Sequence, residues 1–153
     1  MIEIELTRAI RERITQAVAE MRLQTDIPNE LKAPQVVNGY LPPKRSNNEP
    51  DFPYIIVRPN TGATEAILQS KATVKLLIGC YSEEYDGYEY ALQVLAVIRK
   101  SLMENPTLEN TFRMEMPFNW LLYDDQPYPE WAIEVTTVWT IHTPLEIQEE
   151  GVL

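Results

Sequence analysis

From Trp131 to His142 the chain alternates without a break. Trp131, Ile133, Val135, Thr137, Trp139 and Ile141 form one row, and Ala132, Glu134, Thr136, Val138, Thr140 and His142 form the other. Successive side chains of a strand point to opposite faces, so a period of two held this long demands a strand with one apolar and one mixed face. At roughly 3.3 Å per residue the stretch reaches about 40 Å, where the usual strand has ~5–6 residues. It therefore crosses a whole sheet or projects past it. Thr143-Pro144 ends the ladder, because proline has no N–H to donate.

The rest of the chain is read around that strand. Leu6, Ile10, Ile14, Ala17, Val18 and Met21 recur at helical spacing, which predicts a first helix from about Glu3 to Gln24, with Glu3 and Glu5 at the positive end of its dipole. Six prolines between Pro28 and Pro53 mark residues 25–53 as a long loop with at most a short strand around Gln35 to Tyr40. Tyr54 to Arg58, bracketed by Pro53 and Pro59, reads as a short strand, Asn60 to Gln69 as a turn-rich excursion, and Ser70 to Tyr81 as a second strand. Asp86 and Glu89 fit a capping box opening a second helix, which carries Ala91, Leu92, Leu95, Ile98 and Leu102 and ends near Glu104. Thr111 to Met116 is a short strand. Trp120 to Tyr123 is another, or a continuation past Pro117, and Asp124 to Pro129 is a turn. The expected fold is one α+β domain over residues 1–153: a largely antiparallel sheet of about four or five strands, two helices packed on it, long loops, and a C-terminal tail over 144–153.

A chain of 153 residues with a single cysteine folds without disulfides, which fits a reducing compartment. The start of the chain lacks the pattern of a signal peptide, and no run reaches the ~18 apolar residues of a membrane span, so a soluble cytosolic protein with no membrane contact is expected. The net charge of −10 opposes capture of a phosphate backbone, which depends on Lys and Arg displacing counterions. Solubility is the plainest account of that charge.

Reactive groups are sparse. A nucleophilic site would have to join His142, the lone histidine, to a distant partner such as Cys80, and both fall inside predicted strands. Glu83, Glu84 and Asp86 cluster before the second helix, and Asp124 and Asp125 before the last strand, without the ligand spacing of a calcium loop. They read as cap and turn residues. The dispersed glycines form no phosphate-cradling motif, and Trp120, Tyr123, Tyr128, Trp131 and Trp139 lack interleaved basic residues, so they read as core and interface packing rather than a base-stacking surface. No catalytic residue, cofactor or metal site is expected.

The ordered pieces carry a resemblance. Pro53 to Pro59, Ile78-Gly79-Cys80-Tyr81, Tyr90 to Leu95 leading to Ile98-Arg99, Pro117-Phe118-Asn119-Trp120, and Gln126 to Trp131 with Trp139 resemble the tail terminators of long-tailed phages and prophages, also called tail-completion or minor tail proteins. The resemblance spans about residues 50 to 143 and is one of ordered pattern. It implies a non-enzymatic structural subunit, made in the host bacterial cytoplasm and ending in the virion tail. Such a subunit is monomeric or ring-forming in solution, assembles as a ring, commonly a hexamer, caps the tail tube and meets the head-completion (neck) protein. DNA would pass through the lumen without specific binding, helped by repulsion if acidic groups line it. Contacts to tube and neck are expected from Thr25 to Pro50 and Asn60 to Gln69, and ring contacts from strand edges and the tail. The candidate contact residues are Lys44, Arg45, Asn47, Asn60, Thr61, Glu65, Ile67 and Glu146. The alternatives are another head–tail joining or tail tube component, a ligand-binding module with Trp120, Tyr128 and Trp131 around a pocket, and a small cytosolic enzyme using Cys80 or His142.

Overall fold

The long alternating strand runs from Glu130 to His142 and sits inside a six-stranded sheet. The computed structural model describes residues 1–43 and 49–142. In chain order the elements are α1 (Ile2–Val18), β1 (Leu23–Gln24), β2 (Leu31–Lys32), β3 (Gln35–Asn38), β4 (Tyr54–Ala66), β5 (Gln69–Tyr81), α2 (Tyr88–Glu104), β6 (Thr107–Leu108), β7 (Phe112–Leu122) and β8 (Glu130–His142). The sheet order is β3-β4-β5-β8-β7-β6, with β1 and β2 forming a separate small pair. β5 and β8 pair along their full lengths, from Gln69 opposite His142 to Tyr81 opposite Glu130.

The period-two reading of β8 holds: Ile133, Val135, Thr137, Trp139 and Ile141 are buried, as are Ala72, Val74, Leu76, Ile78 and Cys80 on β5. α1 lies against β3 and β4, α2 against β5 and β8, and the helices touch each other, so both cover one face. Leu6, Ile10 and Ile14 of α1 and Val94, Leu95 and Ile98 of α2 complete the core. Trp139, the largest buried side chain, donates its indole N–H to Thr137 Oγ1 at 2.9 Å, and that hydroxyl donates to the Val74 carbonyl at 2.8 Å. A buried indole N–H without such a partner would cost about 1–3 kcal/mol. Thr137 therefore belongs in the apolar row for a polar reason.

The α+β class stands, but the sheet differs from the expected one in size and kind. It has six strands instead of four or five, and it is mixed, because β3 runs parallel to β4 (Gln35 opposite Tyr54, Asn38 opposite Val57). The first helix ends at Val18, short of Gln24. Met21 continues the apolar spacing, yet it packs against the core from a turn, where Arg22 donates to the Ala19 and Met21 carbonyls. The second helix keeps its expected end at Glu104, but no side-chain cap forms at its start: Gly87 is the cap residue, and Asp86 offers its backbone carbonyl to the Glu89 N–H. At the other end Arg13 of α1 donates to the Ser101 and Asn105 carbonyls at 3.3 and 2.8 Å, placing a cation where the helix dipole is negative.

Two segments read as short are long. The strand expected to stop at Arg58 continues to Ala66, so most of the excursion from Asn60 to Gln69 is ladder, not turn. Its small and polar residues are poor β-formers, but β5 is held by β8 on its far side and serves as a template for them. Likewise Trp120 to Leu122 continues β7, which pairs with β8 on both sides of a register shift between Glu115 and Asn119. The loop over 25–53 holds β2 and β3, and after β3 the chain is tied back by Arg58, whose Nε donates to the Gly39 carbonyl at 2.9 Å under the Tyr40 ring.

Candidate functional site

The groups able to do covalent chemistry are kept apart. Cys80 lies opposite Trp131 and His142 opposite Gln69, at the two ends of the β5–β8 ladder, about 36 Å from each other at the usual rise per residue. Cys80 is 1 % exposed, and burial pushes its thiol from an ordinary 9.0 up to about 12. A nucleophilic cysteine needs the opposite shift. Among the described residues, no group of three or more His, Cys, Asp or Glu side chains is placed to hold a metal ion. Of the three rings named for a ligand pocket, only Tyr128 and Trp131 come together. Trp131 packs beside Tyr88 and Tyr128 and donates to the Ser82 carbonyl at 2.9 Å, whereas Trp120 lies on β7 opposite Val135.

Shape supplies what chemistry does not. Beyond Arg58, β4 outruns its neighbour β3 and continues along the margin of the sheet as an arm paired only with β5, with every residue from Pro59 to Ile67 exposed. The arm is short-sided: Thr64 and Ser70 bond hydroxyl to hydroxyl at 3.2 Å, Lys71 pairs with Glu65 at 3.6 Å, and a Cβ on Gly62 would lie 3.3 Å from the Lys71 carbonyl. At its tip Ile67 is 84 % exposed, an apolar knob on a polar arm. Between the arm and the start of α1 runs an open groove of about 490 Å³, lined by Glu3, Thr7, Asn60, Thr61 and Lys71 among others. The arm thus brings together Asn60, Thr61, Glu65 and Ile67 of the expected contact residues. Lys44, Arg45, Asn47 and Glu146, and the tail over 144–153, lie outside the described residues.

A second surface lies on β7, on the side of the sheet away from β4. β6 covers the outer edge of β7 only at Phe112 and Arg113, and beyond it Met116, Trp120, Leu121 and Tyr123 are exposed, Trp120 by 48 % and Leu121 by 52 %. Large apolar side chains exposed on both faces of an outer strand are unusual for a lone soluble subunit and typical of a protein contact. The available signal was Met116 to Tyr123 itself, which is apolar in both rows of the strand.

Seven acidic residues lie at the end of the sheet away from the tip of the arm. Glu83, Glu84, Asp86 and Glu89 surround the start of α2, with Asp124, Asp125 and Glu130 beside the entry to β8. Their effect on neighbouring phenols is consistent. The Glu84 carboxylate, aided by desolvation, raises Tyr90, and desolvation, with a hydrogen bond to Glu83, raises Tyr81. By contrast, the sheet face away from the helices mixes signs, as in the Lys75–Glu134 pair at 3.0 Å.

No family model matches the chain, and no curated protein does. Among solved structures, a chain of the "Virion of native gene transfer agent (GTA) particle" superposes with a TM-score of 0.52, covering 90 % of this chain and 94 % of that one at 9 % sequence identity. The likeness is one of fold, and it extends over nearly the whole of both chains.

Proposed function

We propose that this chain is a structural subunit of a phage-like particle, and within it the tail terminator: a ring-forming protein that caps the tail tube and joins it to the head-completion complex. The observation that carries the reading is the exposed arm of β4 with Ile67 at its tip, set on a body whose thiol and imidazole lie too far apart to cooperate. The whole-chain fold likeness to a component of a gene transfer agent virion supports it, as does the sequence resemblance over residues 50–143. In this reading the tip of the arm at Ile67 meets the tube, the outward backbone of the sheet edges, the arm's included, meets neighbouring copies, and the acidic end lets DNA pass a channel without sticking. Assembly would take place in the host cytoplasm, with the subunit retained in the virion.

Deleting Gly62 to Ile67 tests the assignment. The residues are exposed and β5 keeps its β8 partner, so the variant should fold and yet fail to cap tubes, which electron microscopy would show as tails of uncontrolled length. Normal capping by the folded variant would refute the role of the arm. The nearest second reading, a tube subunit, draws on the sheet edges left open where β3 stops opposite Val57 and β6 stops opposite Arg113. Purified protein growing into long tubes instead of monomers or closed rings would select it.

A further inference from the structure

The two margins of the sheet are each half covered. β4 loses its neighbour β3 after Val57, and β7 loses β6 after Arg113, with one further bond from the Met114 N–H to the Pro106 carbonyl. Among the described residues, the outward backbone groups of Arg58–Ala66 and of Glu115–Leu122 therefore have no strand partner. Such rows are templates for another strand.

The two stretches are close in length and are guarded alike. Pro59 opens a register shift that ends at Thr61, and Pro117 lies inside the shift between Glu115 and Asn119. Both margins are also near neutral on a chain of net charge −10, because Lys71 pairs with Glu65, Arg113 approaches Glu115 at 4.0 Å, and Arg58 is cationic. Two copies can approach margin to margin without the repulsion that the acidic end would impose.

We propose that neighbouring copies meet by strand addition, the β4 margin of one copy pairing with the β7 margin of the next and covering its Met116, Trp120 and Leu121. The proposal rests on the ring reading above and names its contact. A contact of β7 with β7 is two-fold and closes as a dimer, leaving both β4 margins open. A contact of β4 with β7 is heterologous, uses both margins of every copy, and continues until the rotation closes a ring. The prolines and register shifts weaken pairing between dilute copies, so the ring forms where copies are concentrated.

Ala63→Cys and Asn119→Cys place exposed thiols on the two margins, while the native Cys80 stays buried. Mixed and treated with a short bis-maleimide, the two variants should link about tenfold faster than Ala63→Cys mixed with Glu104→Cys, an exposed position on α2, because paired strands hold the thiols at a raised effective concentration. Each variant alone should link no faster than that control, and a chain carrying both substitutions should give a ladder ending in a closed species. A mixed-pair rate equal to the control over the whole soluble range would overturn the proposal. So would rapid linking of Asn119→Cys to itself. Tube capping is scored separately on untreated protein: capping without mixed-pair linking removes strand addition and leaves the tail reading intact, whereas linking without capping does the reverse.

Discussion

Alkylation of Cys80 offers a direct reading of whether this protein holds a usable nucleophile. Only the thiolate reacts, and the thiolate fraction at pH 8 is about one in ten for a thiol at 9.0 but about one in 10⁴ for one at about 12. The folded protein should therefore react with iodoacetamide roughly 10³-fold more slowly than the unfolded chain, before the shielding of a side chain only 1 % exposed is added. Mass spectrometry of samples quenched with and without denaturant measures both rates. The same shift carries a stability consequence. The folded-state value lies above the unfolded one, so between them the native state binds more protons and stability falls as pH rises from about 9 to about 12. Three pH units correspond to a loss of about 4 kcal/mol, fully absent below pH 9. Tyr54, raised first by burial and next by Glu130, adds to the loss at the alkaline end, so the comparison is with Cys80→Ala, whose stability should decline less steeply over this range. Native alkylation within about tenfold of the unfolded rate would refute the argument and reopen the enzymatic alternative.

Two further substitutions probe the packing that presents the surfaces. Thr137→Val keeps the side-chain shape but strands the Trp139 indole N–H, and should cost about 1–3 kcal/mol in urea unfolding, with Thr137→Ser costing less. Gly87 has helical φ and ψ that alanine can adopt, yet the Cβ added by Gly87→Ala would collide with Trp131 Nε1. The indole must move and give up its bond to Ser82, so a net loss of about 1–3 kcal/mol and a shifted tryptophan emission are expected, and a rise in melting temperature would contradict the packing described.

Several elements were legible because their cause is local. The alternation of β8, the apolar row of β5 and the end of α2 at Asn105-Pro106 each follow from residues that are neighbours in sequence. Asp86 and Glu89 show where local pattern misleads: the spacing suits a capping box, but Gly87, pressed under Trp131, begins the helix instead. In the same way Met21 has the spacing of a helix and the contacts of a turn. The expected contact residues Asn60, Thr61, Glu65 and Ile67 came from a stretch read as a turn-rich excursion, and they share one arm because β5 offers that stretch a partner, which composition does not express.

The amino-acid order alone settled the class of the fold, the buried face of β8 and the presence of a single histidine and a single cysteine, because periodicity and side-chain chemistry are written residue by residue. The three-dimensional arrangement settled how far β4 extends, that β3 joins it in parallel, and which strands lie at the margins. A strand's length and neighbours depend on the partner that offers it hydrogen bonds, and that partner is brought close only when distant parts of the chain pack together.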